Sequence, residues 1–152
     1  IEIINGYTWI GTNMGLYIFS NNDPKLLSLN DIGRKNFPEN MNKVTCIQEY
    51  NDLIYIISDI GIVKFNMQEQ NLKLIFTSGI YYDKAIYAMN VNEKFIFLGT
   101  GDGLIKINKN TGLVKDYLLP FLGQVNDIVI DGKKIWLGTS NGLVRFLWKR
   151  DL

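Results

Sequence analysis

Two phenol rings stand beside a carboxylate at Tyr81-Tyr82-Asp83, inside the stretch Ser78-Gly-Ile-Tyr-Tyr-Asp83. Flat aromatic faces with acid or amide hydrogen-bonders next to them are what a sugar ring demands of its receptor. Its C–H face stacks on the ring, and its hydroxyls need donors and acceptors. Arg34 and Lys35, in Asp31-Ile-Gly-Arg-Lys-Asn-Phe-Pro38, add cations that would meet an anionic sugar. Asp102 in Gly101-Asp-Gly103 and Asn141 in Ser140-Asn-Gly142 are polar tips, matched by Asn13 and Asp59 earlier in the chain. The candidate ligand contacts are therefore Arg34, Lys35, Tyr81, Tyr82, Asp83, Asp102 and Asn141. Each also has a plainer reading: Asp and Asn as turn formers, Arg34 and Lys35 as solvated loop charges, the tyrosines as packing between sheets.

Catalytic chemistry finds no footing. The 152 residues contain no histidine, which removes the commonest general base and metal ligand. There is no serine in a nucleophile elbow and no carboxylate pair with an acid–base partner. No calcium loop is recognisable, and Gly101-Asp-Gly103 is not a phosphate cradle, since no helix follows it. No cofactor and no metal are expected. The single cysteine, Cys46, lies in the apolar run Val44-Thr-Cys-Ile47 and reads as a small core hydrophobe. It excludes an intrachain disulfide and leaves the redox compartment open.

Composition narrows the class. The chain is 47% hydrophobic and 20% charged, as a globular protein should be, and its net charge of +1 argues against a general nucleic-acid binder. No apolar run approaches the roughly 20 residues that a membrane-spanning helix needs. The opening at Ile1 without methionine, inside a strand, leads us to expect a segment of a longer protein, with any membrane attachment belonging to the parent.

The elements that must position the candidate residues are declared by repetition. Trp9-Ile-Gly-Thr-Asn-Met-Gly-Leu16 returns as Tyr55-Ile-Ile-Ser-Asp-Ile-Gly-Ile62, Phe97-Leu-Gly-Thr-Gly-Asp-Gly-Leu104 and Trp136-Leu-Gly-Thr-Ser-Asn-Gly-Leu143. The last glycines are 46, 42 and 39 residues apart. That period, with only strand-like segments between, signals a β-propeller.

Each copy parses into four strands. First strands are expected at Ile1–Ile4, Lys43–Tyr50, Lys84–Asn90 and Val125–Ile130. Second strands are expected at Tyr7–Thr12, Leu53–Ser58, Lys94–Thr100 and Lys134–Thr139. Third strands begin at Leu16, Ile62, Leu104 and Leu143, and fourth strands lie near Lys25–Leu29, Leu72–Phe76 and Leu113–Tyr117. The last repeat runs out at Leu147-Trp-Lys-Arg-Asp-Leu152, with a short or missing fourth strand. The fold expected is all-β, about four blades over residues 1–30, 43–76, 84–117 and 125–152.

Details of the phrase carry physical expectations. Its last glycine, present in all four copies, should supply a positive φ in the tight hairpin. The earlier glycine (Gly11, Gly99, Gly138) becomes Ile57 in the second copy, so it marks close approach of a neighbouring sheet. The aromatic two residues before it (Trp9, Tyr55, Phe97, Trp136) reads as a wedge between sheets. Second strands should be buried on both faces. Four units are few for a ring, so two inter-blade faces would be bare and seek cover. The remaining blades of a longer propeller or a second copy of the chain would provide it. A small four-bladed ring or a dimer of half-rings is the other solution.

With Ile-Trp-Leu-Gly-Thr-Ser-Asn-Gly-Leu-Val-Arg-Phe146 preceded by Val125-Asn-Asp-Ile128, the chain resembles the two-component-regulator propeller repeat. That pattern has a Val-x-x-Ile first strand, then Trp-Ile-Gly-Thr-x-x-Gly-Leu, then a strand ending near Phe. The second copy departs from it, with Ile57-Ser58 in place of Gly-Thr. The resemblance covers essentially the whole chain. It implies a piece of a seven-bladed propeller in the periplasmic part of a Bacteroidetes hybrid two-component sensor kinase, anchored in the membrane through its parent and detecting oligosaccharides. In propellers the loops between second and third strands, and between fourth and next first strands, gather on one ligand-binding face. That is where the seven candidates fall. A protein-interaction or dimerisation scaffold is the alternative. A lyase like the streptogramin-inactivating propellers is a third reading, and those enzymes rely on a histidine that is missing here.

Overall fold

Every second strand is a short run of β-branched, leucine and aromatic residues that reverses through a two-residue tip into a third strand opening on glycine. The computed structural model describes residues 1–22, 26–27, 41–69, 71–81 and 84–148. Its strands form four antiparallel sheets, each a simple meander in chain order. The first holds β1 (Glu2–Ile4), β2 (Tyr7–Thr12), β3 (Gly15–Ser20) and β4 (Leu26–Leu27). The second holds β5 (Val44–Tyr50), β6 (Leu53–Ser58), β7 (Gly61–Asn66) and β8 (Asn71–Thr77). The third holds β9 (Ile86–Val91), β10 (Phe95–Thr100), β11 (Gly103–Asn108) and β12 (Val114–Leu118). The fourth has three strands among the described residues: β13 (Val125–Asp131), β14 (Lys134–Thr139) and β15 (Gly142–Phe146). Two 3₁₀ turns, Ser78–Tyr81 and Pro120–Leu122, precede the third and fourth sheets.

The expected second strands stand within one residue of their places, and the third strands start on the glycine itself. Those glycines, Gly15, Gly61, Gly103 and Gly142, all have φ between 109° and 155°. At Gly61 and Gly103 a Cβ would also run into the carbonyl oxygen of Phe76 or Tyr117 on the adjoining fourth strand. The first turn uses left-handed residues in three repeats, at Asn5-Gly6, Asn51-Asp52 and Gly132, while in the third the Asn92 Oδ1 accepts from the Lys94 and Phe95 N–H groups.

Chain contacts divide the protein into two units, Ile1–Ile80 and Tyr81–Leu152, two sheets in each. In the first unit, Ile4, Trp9 and Ile18 pack against Val44, Ile54, Ile56 and Phe65. The Trp9 and Phe65 rings lie 5.8 Å apart. In the second, Phe95, Phe97, Leu104 and Tyr117 on one sheet meet Val125, Ile128, Ile135 and Leu137 on the next. Trp148, just past β15, folds back edge-on to Phe95 and Phe97 at 5.2 and 5.4 Å. Burying a side chain of this size contributes about 1.5–3 kcal/mol.

Both sheet–sheet seams use one device. The mid-strand glycine of one blade receives the valine that opens the next. A Cβ on Gly11 would stand 2.6 Å from Val44 Cγ1, and one on Gly99 would stand 2.8 Å from both Val125 Cγ1 and the Val125 carbonyl oxygen. Asn90 Nδ2 adds a 2.8 Å hydrogen bond to the Ile128 carbonyl. Burial on both faces holds for the second strands β6 and β10 and fails for β2 and β14, which carry partly exposed residues. The physical reason for β14 is that one face of its sheet is open, which leaves Trp136 half-buried where Phe97 is fully buried.

A register shift recurs at the start of β5, β9 and β13, skipping Thr45, Tyr87 and Asn126 at one repeat position. Such bulges bend a strand and turn the extra side chain outward, and all three are exposed.

Candidate functional site

The tip joining second and third strands folds over the entry of its own first strand. Asp59 accepts hydrogen bonds from the backbone N–H groups of Asn42 and Lys43 at 3.1 and 3.3 Å, and its own N–H donates to the Lys43 carbonyl. Ser140 does the same work in the fourth sheet. Its Oγ accepts from the Gln124 N–H at 3.1 Å, and its N–H donates to the Gln124 carbonyl. Asn141 Nδ2 donates to the Phe121 carbonyl at 3.0 Å, pinning the Pro120–Leu122 turn. In these repeats the polar tips close loops.

The third repeat departs from this pattern. There the entry is held by a side chain, Lys84. Its Nζ donates to Asp102 Oδ1 at 3.3 Å and to Asp116 Oδ2, on β12, at 2.7 Å. Thr100 Oγ1 donates to the same Asp102 oxygen at 2.8 Å. The Thr100 hydrogen bond, reinforced by Lys84, holds the Asp102 carboxyl below its ordinary range against the opposing effect of partial burial. Burial works against the Lys84 charge too, but hydrogen bonds and attraction from Asp116 and Asp102 outweigh it and raise its pKa. The exposed ring of the bulged Tyr87 lies near this tip: a Cβ added at Gly101 would stand 3.9 Å from its Cε2. An exposed aromatic plane is thus carried at the same hairpin tip as one ammonium and two carboxylates, with acceptor capacity left on the Asp oxygens. That group offers stacking and hydrogen bonding to a polyhydroxylated molecule. Among the described residues no cluster of three or more metal-ligating side chains occurs.

Of the residues singled out from sequence, Arg34, Lys35, Tyr82 and Asp83 lie outside the described residues. Tyr81 is buried in the Ser78–Tyr81 turn, and its carbonyl accepts the Lys84 N–H at 3.0 Å. Asp102 stands in the charged group and Asn141 in the loop lock of the next sheet. Lys84, Tyr87 and Asp116 were not singled out, because the bulge that exposes Tyr87 and the pairing that brings Asp116 to Lys84 are not local in sequence.

A second charged feature is structural. Lys106, cross-strand from Phe97 on β11, is buried, with Nζ 5.1, 5.7 and 5.8 Å from the ring centres of Phe95, Tyr117 and Trp148. Aromatic faces attract a desolvated cation and let the ammonium sit in the seam. Cys46 is partly buried, and burial pushes its thiol up to about 11 against a weaker opposing hydrogen bond from Thr45.

No family model matches the chain, and no curated protein is significantly similar to it. Solved structures are similar in fold. The computationally designed Ika4 protein superposes with a TM-score of 0.67 at 12% identity, over 95% of this chain and 87% of that one. The extracellular domain of a hybrid two-component system from B. thetaiotaomicron superposes with a TM-score of 0.65 at 20% identity, over 95% of this chain and 20% of that one. The WD40 β-propeller domain of Doa1 gives 0.61 at 15% identity, over 92% of this chain and 46% of that one. The fold is that of propeller blades. The chain spans about a fifth of the length of the B. thetaiotaomicron domain. No helix among the described residues is long and apolar enough to cross a membrane.

Proposed function

We propose that this chain is a ligand-binding propeller segment of an extracytoplasmic signalling receptor of the hybrid two-component type, and that its ligand is an oligosaccharide. The observation that carries this is the grouping of exposed Tyr87 with Lys84, Asp102 and Asp116 at one hairpin tip. Stacking on Tyr87 would orient a sugar ring, and the Asp oxygens would accept from its hydroxyls. The repeated phrase and the likeness in fold to a two-component extracellular domain support the setting, periplasmic and membrane-anchored through the parent. The role is recognition and not turnover, because the sequence offers no histidine and no activated nucleophile. Arg34, Lys35, Tyr82 and Asp83, outside the described residues, remain proposed ligand contacts on the sequence reading alone.

Calorimetric titration of a glycan panel into the longest polypeptide carrying this chain tests the reading. Saturable heat with one class of glycan, lost in Tyr87→Ala with the fold intact, is the expected result. No heat with any glycan, together with capture of a protein ligand, would replace it with the scaffold reading.

A further inference from the structure

The hairpin tip Gly101-Asp102 is approached from both edges of its sheet, whose strand order is β12-β11-β10-β9. From the β9 edge comes Tyr87, with Cε2 3.9 Å from where a Cβ on Gly101 would stand. From the β12 edge comes the connection 119–124, in which the Leu119 N–H donates to the Asp102 carbonyl at 2.8 Å. The same connection reaches the tip of the fourth sheet. There the Ser140 N–H donates to the Gln124 carbonyl, and Asn141 Nδ2 donates to the Phe121 carbonyl. Phe121 therefore stands on a bridge between two polar tips.

The bridge is fastened along its length. Leu122 is buried in the core of the second unit, and its N–H donates to the Leu119 carbonyl. The Gly123 N–H donates to the Pro120 carbonyl. Gly123 has φ +68°, and a Cβ there would run into Ser140 Oγ. In the middle of this fixed turn Phe121 is 72% exposed. A single exposed apolar residue is ordinary on a protein surface. Here the backbone on either side is already held, so a molecule stacking on the ring pays little further ordering cost. Polar capacity remains beside it: among the described residues no donor serves Asp102 Oδ2 or Asn141 Oδ1.

We propose that Phe121 is a second stacking platform of the site at Tyr87, and that the ligand is a linear oligosaccharide with one ring on Tyr87 and a further ring on Phe121, across the Asp102 tip. A sugar chain alternates apolar C–H faces with hydroxyls, and this surface alternates aromatic planes with acceptors. A single sugar ring would occupy one platform and leave the other bare. The assignment rests on the oligosaccharide reading above and adds where the chain runs.

Calorimetric titration of the same polypeptide with glucose, galactose, mannose and xylose, each beside its linear di- and trisaccharide, tests it. For a sugar that binds, affinity should rise at least about tenfold from the monosaccharide to the trisaccharide. Phe121→Ala should remove that gain, Phe121→Trp should keep it, and Phe121→Leu, apolar but without an aromatic plane, should not. Circular dichroism of these variants should match the wild type, because the ring is exposed. A gain that survives Phe121→Ala, or that leucine supports as well as tryptophan, overturns the platform and leaves the sensing reading standing. No heat with any of these sugars also overturns the platform, and no heat with the wider glycan panel overturns the sensing reading with it.

Discussion

Gly99 and Val125 meet so closely that neither an alanine nor any larger residue fits at position 99: a Cβ there would stand 2.8 Å from Val125 Cγ1 and from the Val125 carbonyl oxygen. The contact joins the second strand of one blade to the first residue of the next. Gly11 and Val44 repeat it in the other unit, with a Cβ-to-Cγ1 separation of 2.6 Å.

Gly99→Ala should therefore destabilise the protein by about 1–3 kcal/mol, the usual cost of overpacking. Pairing it with Val125→Ala should recover part of that loss, since the methyl clash goes and the carbonyl clash stays. Gly138→Ala meets only Asp127 Cβ at 3.3 Å and should cost much less. Urea denaturation of the three variants ranks them, and equal midpoints for Gly99→Ala and Gly138→Ala would refute the seam argument.

The hairpin glycines separate backbone strain from crowding. Gly142 has φ +118° with nothing near its missing Cβ, so Gly142→Ala should cost about 1–2 kcal/mol for the left-handed backbone alone. Gly103→Ala adds collision with the Tyr117 carbonyl and should cost distinctly more. Thermal melts that place the two in the reverse order would count against this division.

Acid stability should report the Asp102 ion pair. A depressed carboxylate contributes stability that is present above its unfolded value, near 3.8, and is lost as pH falls through the lower folded value. The raised Lys84 contributes below its unfolded value, near 10.5, and loses that contribution as pH rises beyond it. Both carboxylates are substantially solvated, so the whole effect should be about 0.2–1 kcal/mol and should shrink with salt. Asp102→Asn should lower stability at neutral pH and flatten the limb below pH 4 in denaturation curves; an unchanged acid limb would show that Asp102 is not held by its neighbours.

Cys46, with its thiol pushed up to about 11, should resist alkylation at pH 8 while the protein is folded. Against an ordinary cysteine near 9.0, its thiolate fraction is smaller by a factor of about a hundred. Iodoacetamide labelling followed by mass spectrometry should run at least tenfold slower in buffer than in urea. Equal rates would mean that the thiol is not shielded.

Much of the architecture was readable in one dimension because each constraint is local and recurs. A tight hairpin needs glycine where φ turns positive, so Gly15, Gly61, Gly103 and Gly142 mark the same corner four times. Gly11 and Gly99 announced close approach because nothing else explains a missing side chain in mid-strand, although only the fold names Val44 and Val125 as what approaches. The candidate site was less readable. Asp102 was visible as a tip residue, yet a tip residue looks the same whether it closes a loop, as Asp59 does, or faces a cation at the entry to another strand.

Sequence alone therefore determined the strand order, the turn corners and the absence of histidine chemistry, since periodic spacing and residue type follow from backbone sterics and intrinsic reactivity. Tertiary structure decided which side chains meet. Lys84 finds Asp116 across 32 residues, Trp148 returns to Lys106, and Trp136 keeps an open face where Phe97 has a covered one. Those outcomes depend on the register and stacking of whole sheets, which burial in three dimensions selects.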